Sequence, residues 1–207
     1  MLTPLPARKR GHVTFGCFNN ALKINAATVA RWAEIMRAVP NARLLVKGFH
    51  TDGGLSRGRL NDLLTGQGIA PERFDLRAAS PTPQEHFAAY GEVDVALDTA
   101  PYNGTATTCE AMWSGVPTVA LRGDRHAARV GASLMAAAGL RELVAESPAE
   151  YVAKAVGLAG DLERLATLRA TLRERMRASP LTDAATFARA MEAAYRTMWR
   201  RWCGTGA

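Results

Sequence analysis

Between an apolar run, Val93-Asp-Val-Ala-Leu97, and a helix-forming run that stops at Gly115, the chain sets a loop of small residues, Asp98-Thr-Ala-Pro-Tyr-Asn-Gly-Thr-Ala-Thr-Thr-Cys-Glu110. The run before the loop alternates and is β-branched enough for a short buried strand, while Cys109–Ser114 carries helix formers. A loop that leaves a strand at its carboxyl end and feeds a helix belongs to a layered α/β fold. The start of such a helix offers unpaired N–H groups and the positive end of the peptide dipoles. Thr105, Thr107 and Thr108 add hydroxyl donors to the same spot, so an anionic group such as a phosphate suits the junction. The alternative is purely local: the threonines cap the helix, and Glu110 completes a capping box with Thr107.

The alternation continues on both sides of this unit. Val13–Phe18 reads as a first strand. A helix from Ala26 to Val39 follows, with Val29, Trp32, Ala33, Ile35, Met36 and Val39 along one face, and Pro40-Asn41 ends it. Arg43–Val46 is a second strand, Leu55–Thr65 a polar-faced helix and Phe74–Arg77 a third strand. Gly48-Phe-His-Thr-Asp-Gly-Gly54 reads as a glycine-rich connection, which is expected to be mobile. Thr82-Pro-Gln-Glu85 has the spacing of a capping box with proline at the first helical position, which starts a short helix carrying His86. Beyond the loop come a strand at Pro117–Leu121, a helix over Ala127–Ala138 and a short strand at Glu142–Ala145. Three alanine- and arginine-rich helices then follow, Pro148–Leu158, Asp161–Ala178 and Asp183–Trp202. The expected fold is α/β: a doubly wound, Rossmann-like parallel sheet with helices on both faces and a helical C-terminal tail. Residues 1–12 read as an N-terminal extension, 13–160 as the ligand-binding domain and 161–207 as the C-terminal helices. Ligands of such sheets bind beyond the carboxyl ends of the strands, where the loops named above lie.

Length and charge narrow the function. With 207 residues the chain can bury one sizeable α/β core. No apolar run approaches the roughly 20 residues that span a bilayer, and Met1–Arg10 lacks the apolar stretch of a secretion signal, so a cytoplasmic protein with no membrane partner is expected. Cys17, Cys109 and Cys203 are far apart and odd in number, which suggests neither a disulfide framework nor a zinc site. The formal charge of +7 comes from short arginine clusters spread over helices and both ends, with few aromatics between them. That pattern fits solvated helix faces and not a nucleic-acid stripe. There is no G-x-G-x-x-G fingerprint, Walker sequence, catalytic triad or metal-ligand spacing, which disfavours hydride transfer, ATP hydrolysis and a resident metal.

A few polar residues remain as candidates. Phe18-Asn-Asn-Ala-Leu-Lys-Ile24 places Lys23 on the same rim as the Asn103–Thr108 loop, where a lysine neutralises a diphosphate as a mobile point charge or is simply an exposed side chain. Glu110, one turn into the phosphate-facing helix, is placed to accept from ribose hydroxyls, or only to cap. His86 is a ligand donor, a general acid or a structural residue. His126, beside Arg125 and Arg129, opens another helix as a second anion contact or a plain surface. His12 and His50 suggest nothing specific.

Taken in order, Phe15-Gly-Cys-Phe-Asn-Asn-Ala-Leu-Lys-Ile-Asn25, Trp32–Asn41, Val93–Asn103, Thr107-Thr-Cys-Glu-Ala-Met-Trp-Ser-Gly-Val-Pro117 and Gly123–Leu134 resemble the O-GlcNAc transferase/SPINDLY family of glycosyltransferases, in the form common in bacteria. The resemblance runs from about Val13 to Trp202 and falls on the second, donor-binding half of that family's two-part, GT-B type catalytic region. It implies a metal-independent, inverting transfer of N-acetylglucosamine from UDP-GlcNAc to Ser or Thr hydroxyls of a protein acceptor, with no further cofactor. By motif, Lys23 takes the place of the lysine on the diphosphate and Asn20 that of its polar neighbour. Asn103, Gly104, Thr105, Thr107 and Thr108 take the place of the diphosphate loop, and Glu110 that of an acidic residue on the ribose. His86 takes that of a histidine near the nucleotide, and Lys23 and His86 are the two residues assigned to catalysis.

Three departures qualify the donor. Thr105 stands where animal members have a histidine after Asn-Gly, and Ala106 where the next threonine belongs. No basic residue for the uracil is evident around Ala88-Ala89. These changes leave open another nucleotide sugar, such as GDP-fucose in the fucosyl-transferring SPINDLY branch. A non-catalytic nucleotide-sugar module and an inactive remnant also stay open. Family members carry a first catalytic half and tetratricopeptide repeats, and no repeat of about 34 residues occurs here. The resemblance therefore implies that both are needed as partners, and that the isolated chain is inactive or weakly active. Exposed apolar surface on Met191, Tyr195, Met198, Trp199 and Trp202 would mark a last helix that packs across such a half.

Overall fold

The computed structural model describes residues 3–49, 51 and 54–204. Its centre is a six-stranded parallel sheet of β1 (Thr14–Cys17), β2 (Arg43–Gly48), β3 (Phe74–Ala78), β4 (Val95–Leu97), β5 (Thr118–Leu121) and β6 (Val144–Ala145), in the order β3-β2-β1-β4-β5-β6. Phe15 pairs with Leu44 on one side and Val95 on the other, so the strand order reverses at β1. In an open α/β sheet that reversal leaves a crevice at the carboxyl ends of the strands.

Both faces of the sheet are covered. Along β2, Leu44 and Val46 join the main core with Phe15 and Trp32, while Leu45 points the other way into a smaller core with Phe18, Tyr90 and Val116. A strand buried on both sides reads as a continuous apolar run, as Thr118–Leu121 does. The helix α2 (Ala26–Ala38) is capped by Asn25, whose side chain accepts from the Thr28 N–H at 2.8 Å. It buries Val29, Trp32, Ala33, Ile35 and Met36. Trp32 is fully buried, and its indole donates to the Tyr151 hydroxyl at 3.3 Å on α7 (Pro148–Ala159).

Several boundaries differ from the sequence reading. The second strand runs two residues further, to Gly48, and the fourth begins at Val95. The Ala127–Ala138 helix is divided into a 3-10 turn at His126–Ala128 and an α-helix at Val130–Ala137. A 3-10 turn over Arg141–Leu143 leaves only Val144 and Ala145 in the last strand. In the glycine-rich connection, His50, Asp52 and Gly53 lie outside the described residues.

Packing does not break at residue 12 or 160. The short helix Pro6–Arg10 buries Pro6 and Ala7. The Ala7 N–H donates to Asp94 Oδ1 at 2.9 Å, and the Thr14 N–H donates to Oδ2 of the same carboxylate at 2.8 Å. From the helix Leu162–Arg177, the buried Arg169 donates to the Val93 carbonyl at 2.8 Å and to the Thr3 carbonyl at 2.8 Å. That helix also buries Leu165, Leu168, Leu172 and Met176. The last helix, Ala184–Gly204, buries none of its residues, and Phe187, Met191, Tyr195, Met198, Trp199 and Trp202 are all exposed on it.

Candidate functional site

A cleft of about 560 Å³ opens at the carboxyl edge of the sheet, over the ends of β1 and β2 and the start of α5 (Ala106–Trp113). Its size is that of a pocket for a small organic ligand. Asn19, Asn20, Lys23, Lys47, His86, Thr105, Thr107 and Glu110 supply its polar wall, and Phe18, Phe49 and Phe87 much of its apolar one.

The loop after β4 is held from behind by a buried carboxylate. Asp98 Oδ1 accepts from Asn19 Nδ2 at 2.9 Å, the Thr99 N–H at 2.8 Å and the Gly104 N–H at 2.7 Å. Desolvation outweighs these bonds and pushes its carboxyl up to about 7. Gly104 is required by close approach, because a Cβ there would lie 2.5 Å from Thr107 Oγ1 and 2.6 Å from Asn19 Oδ1. Asn103 is fully buried. Its side chain donates to the Thr99 carbonyl at 2.8 Å and accepts from the Gly131 N–H at 3.2 Å. Lys23 ends a 3-10 turn, Ala21–Lys23, that Asn20 caps by accepting from the Leu22 N–H. The Lys23 ammonium donates to the Asn103 carbonyl at 3.0 Å and lies 3.9 Å from the centre of the Tyr102 ring. A cation and the open N–H groups of the α5 start thus share one rim of the cleft.

The capping-box alternative does not hold. Thr105, not Thr107, is the N-cap of α5, and it makes no side-chain cap hydrogen bond. Thr107 lies inside the helix, and its hydroxyl donates to Asn19 Oδ1 at 2.6 Å. Glu110 faces the cleft, where Oε2 lies 3.0 Å from His86 Nε2 and accepts from the Tyr90 hydroxyl at 3.3 Å.

His86 sits on the helix α4 (Pro83–Ala89), whose N-cap Thr82 accepts from the Glu85 N–H, as the sequence spacing implies. Its second ring nitrogen, Nδ1, lies 3.1 Å from the ammonium of Lys47. Both ring nitrogens are thereby occupied by protein groups, which leaves none for a ligand in this arrangement. Phe18 and Tyr90 pack around it, their ring centres 4.3 Å apart.

Of the sequence candidates, Asn20, Lys23, His86, Thr105, Thr107 and Glu110 line one cleft. Asn103, Gly104 and Thr108 are buried behind its wall, where they shape the loop. His126 and Arg125 are exposed and do not line the cleft, while Arg129 donates to the Gly123 carbonyl. Sequence reasoning missed Asn19, whose neighbour Asn20 drew the attention. It also missed Lys47, which lies past the apparent end of its strand; alternation with Leu45 is the signal that puts it on this face. Cys17 is buried, its thiol pushed up to about 12 by desolvation, Cys109 is half-buried and Cys203 exposed, all of them free. Among the described residues no three His, Cys, Asp or Glu side chains come together to hold a metal ion.

A SPINDLY protein of Petunia hybrida, named as a probable UDP-N-acetylglucosamine–peptide N-acetylglucosaminyltransferase, is 45% identical over 202 residues, covering 98% of this chain and 22% of that protein. Its counterpart in Solanum lycopersicum is 46% identical over 200 residues, with 97% and 22% covered. The chain thus spans about a fifth of the length of the curated relatives it matches. A solved structure of a mutant Thermobaculum terrenum O-GlcNAc transferase superimposes with a TM-score of 0.88 at 42% identity, over 95% of this chain and 38% of that one. Residues 6–191, from the first helix into the last, match Glycosyl transferase family 41, and the chain belongs to that family.

Proposed function

We propose that this chain is the donor-binding half of a protein O-linked N-acetylglucosaminyltransferase, and that the cleft takes the nucleoside diphosphate of UDP-GlcNAc. The observation that carries this reading is the convergence of Lys23, the α5 N-terminus and Glu110 on one cleft at the sheet's switch point. In the transfer, the acceptor hydroxyl oxygen forms a bond to the anomeric carbon as the bond from that carbon to the β-phosphate oxygen breaks. The electron pair goes to the departing diphosphate, and the configuration inverts. Negative charge grows on the diphosphate in the transition state, which is where a positioned ammonium and helix N–H groups lower the barrier. On this reading no metal is needed, because Lys23 and the helix end supply the compensating charge. Glu110 holds the ribose.

The acceptor protein, and the group that takes the hydroxyl proton, belong to a separate N-terminal catalytic half and its tetratricopeptide region. The row of exposed aromatics and methionines on Ala184–Gly204 supports a further half packed there, since monomeric surfaces rarely leave so much apolar area uncovered. Free cysteines, and the absence among the described residues of a helix long and apolar enough to cross a membrane, support a cytoplasmic location.

Calorimetric titration of the chain with UDP, UDP-GlcNAc and GDP, without added metal, tests the proposal. Selective binding of UDP and UDP-GlcNAc is expected. Preference for GDP would move the donor to a guanosine diphosphate sugar, and no binding to any of the three would remove the donor site.

A further inference from the structure

Lys47 is 3% exposed and carries a charge that burial disfavours. It stands on β2 two residues after Leu45 and so points to the same side of the sheet, beneath α4. Its ammonium lies 3.1 Å from one imidazole nitrogen, His86 Nδ1, and 5.2 Å from the ring centre of Phe18, and among the described residues Glu110, Arg77 and Glu85 are charged groups that act on it. Desolvation lowers its pKa, while the negative charge of Glu110 acts in the opposite direction. A lysine in such a place needs a reason beyond packing, and the chemistry of its neighbours supplies one.

An ammonium has three N–H donors and no acceptor. At 3.1 Å from it, Nδ1 of His86 must accept, so a neutral ring carries its proton on Nε2. Nε2 lies 3.0 Å from Glu110 Oε2, and an ionised carboxylate only accepts. The hydrogen bonds therefore run in one direction, from Lys47 through His86 to Glu110. Tyr90 donates to the same oxygen at 3.3 Å. Oε2 is thus filled from the protein side, and among the described residues no hydrogen bond is made to Oε1.

We propose that Lys47 is a positioning residue of the donor site, which sets the imidazole tautomer of His86 and through it holds Glu110 so that one carboxylate oxygen is reserved for the ligand's vicinal hydroxyls. The inference rests on the donor-site reading above and adds to it a residue that the family motifs do not name. It also gives His86 a role other than a general acid: the ring passes orientation and not a proton.

Two measurements test it. Long-range nitrogen–proton NMR of the wild-type chain reads the tautomer directly: His86 should show an unprotonated Nδ1 and a protonated Nε2. A proton on Nδ1 would overturn the relay whatever the ligand does. The second is titration of wild type and Lys47→Met with UDP, GDP and their 2′,3′-dideoxy forms. Loss of the relay should weaken the ribonucleotide by roughly tenfold, the scale of one hydrogen bond to a charged group. The dideoxy form, which has no hydroxyl for Glu110, should change less than about twofold. An equal loss for both forms would place Lys47 on the diphosphate and overturn the proposal. If neither nucleotide binds wild type, the donor-site reading fails, and the relay stands or falls on the spectrum.

Discussion

The hydroxyl of Thr107 donates to the side-chain oxygen of Asn19 at 2.6 Å, and this bond joins the end of β1 to the first turn of α5 across 88 positions of sequence. The other end of the same amide donates to Asp98 and to Thr99 Oγ1. Asn19 is therefore one tie, beside the Lys23–Asn103 contact, between the two loops that make the phosphate-facing rim. Replacing it with alanine leaves Asp98, already buried with Oδ2 unpaired, short of one donor more. Asn19→Ala should lower stability by about 1–3 kcal/mol in urea unfolding and weaken UDP binding with it. An unchanged midpoint would mean that the two loops are held by something else.

Lys23 differs in kind. It is half-exposed on the rim, where its ammonium donates to the Asn103 carbonyl and lies over the Tyr102 ring. Lys23→Ala should shift stability by less than about 1 kcal/mol, yet reduce UDP affinity by roughly tenfold to a hundredfold, as read by calorimetry. Equal affinity in the two proteins would rule out its place on the diphosphate.

Asp98 makes a statement about pH. Its folded pKa, about 7, lies above the unfolded value of roughly 3.9. Between these values the folded state holds the extra proton, so the contribution of Asp98 to stability is present at low pH and declines as pH rises through the window. Against Asp98→Asn, the wild-type stability advantage should fall by up to about 1.4 kcal/mol per pH unit from about pH 4 to 7 and level off above. Urea titrations of both proteins at pH 5, 6, 7 and 8 measure that slope. A pH-independent difference would show that the three donors on Oδ1 keep Asp98 ionised throughout.

Trp32 tests the core. Fully enclosed between α2 and α7, with its indole N–H on Tyr151, it couples to the site because the Tyr151 hydroxyl donates to the Asp98 carbonyl at 3.0 Å. Trp32→Ala should cost about 3–5 kcal/mol, seen as a lowered unfolding midpoint. A negligible shift would mean that the helix face is placed wrongly.

What the amino-acid sequence determined by itself is what local physics can carry. Period and punctuation marked every strand of the sheet, the apolar face of α2 from Val29 to Met36, and the Thr82 cap of α4, because burial period and capping are encoded within a few neighbouring residues. The Asn103–Thr108 loop and Lys23 were legible in the same way, as a helix start and a rim position after strand ends. Only the tertiary structure decided which of these side chains meet. Thr107 bonds to Asn19 and not to its own helix start, Glu110 turns to His86, and Lys47, read as lying past a strand's end, reaches the imidazole from β2. These contacts join elements 24 to 88 residues apart. No local propensity specifies such a pairing, because its energy exists only once the parallel sheet has brought the carboxyl ends of β1, β2 and β4 to one edge and water has been excluded between them.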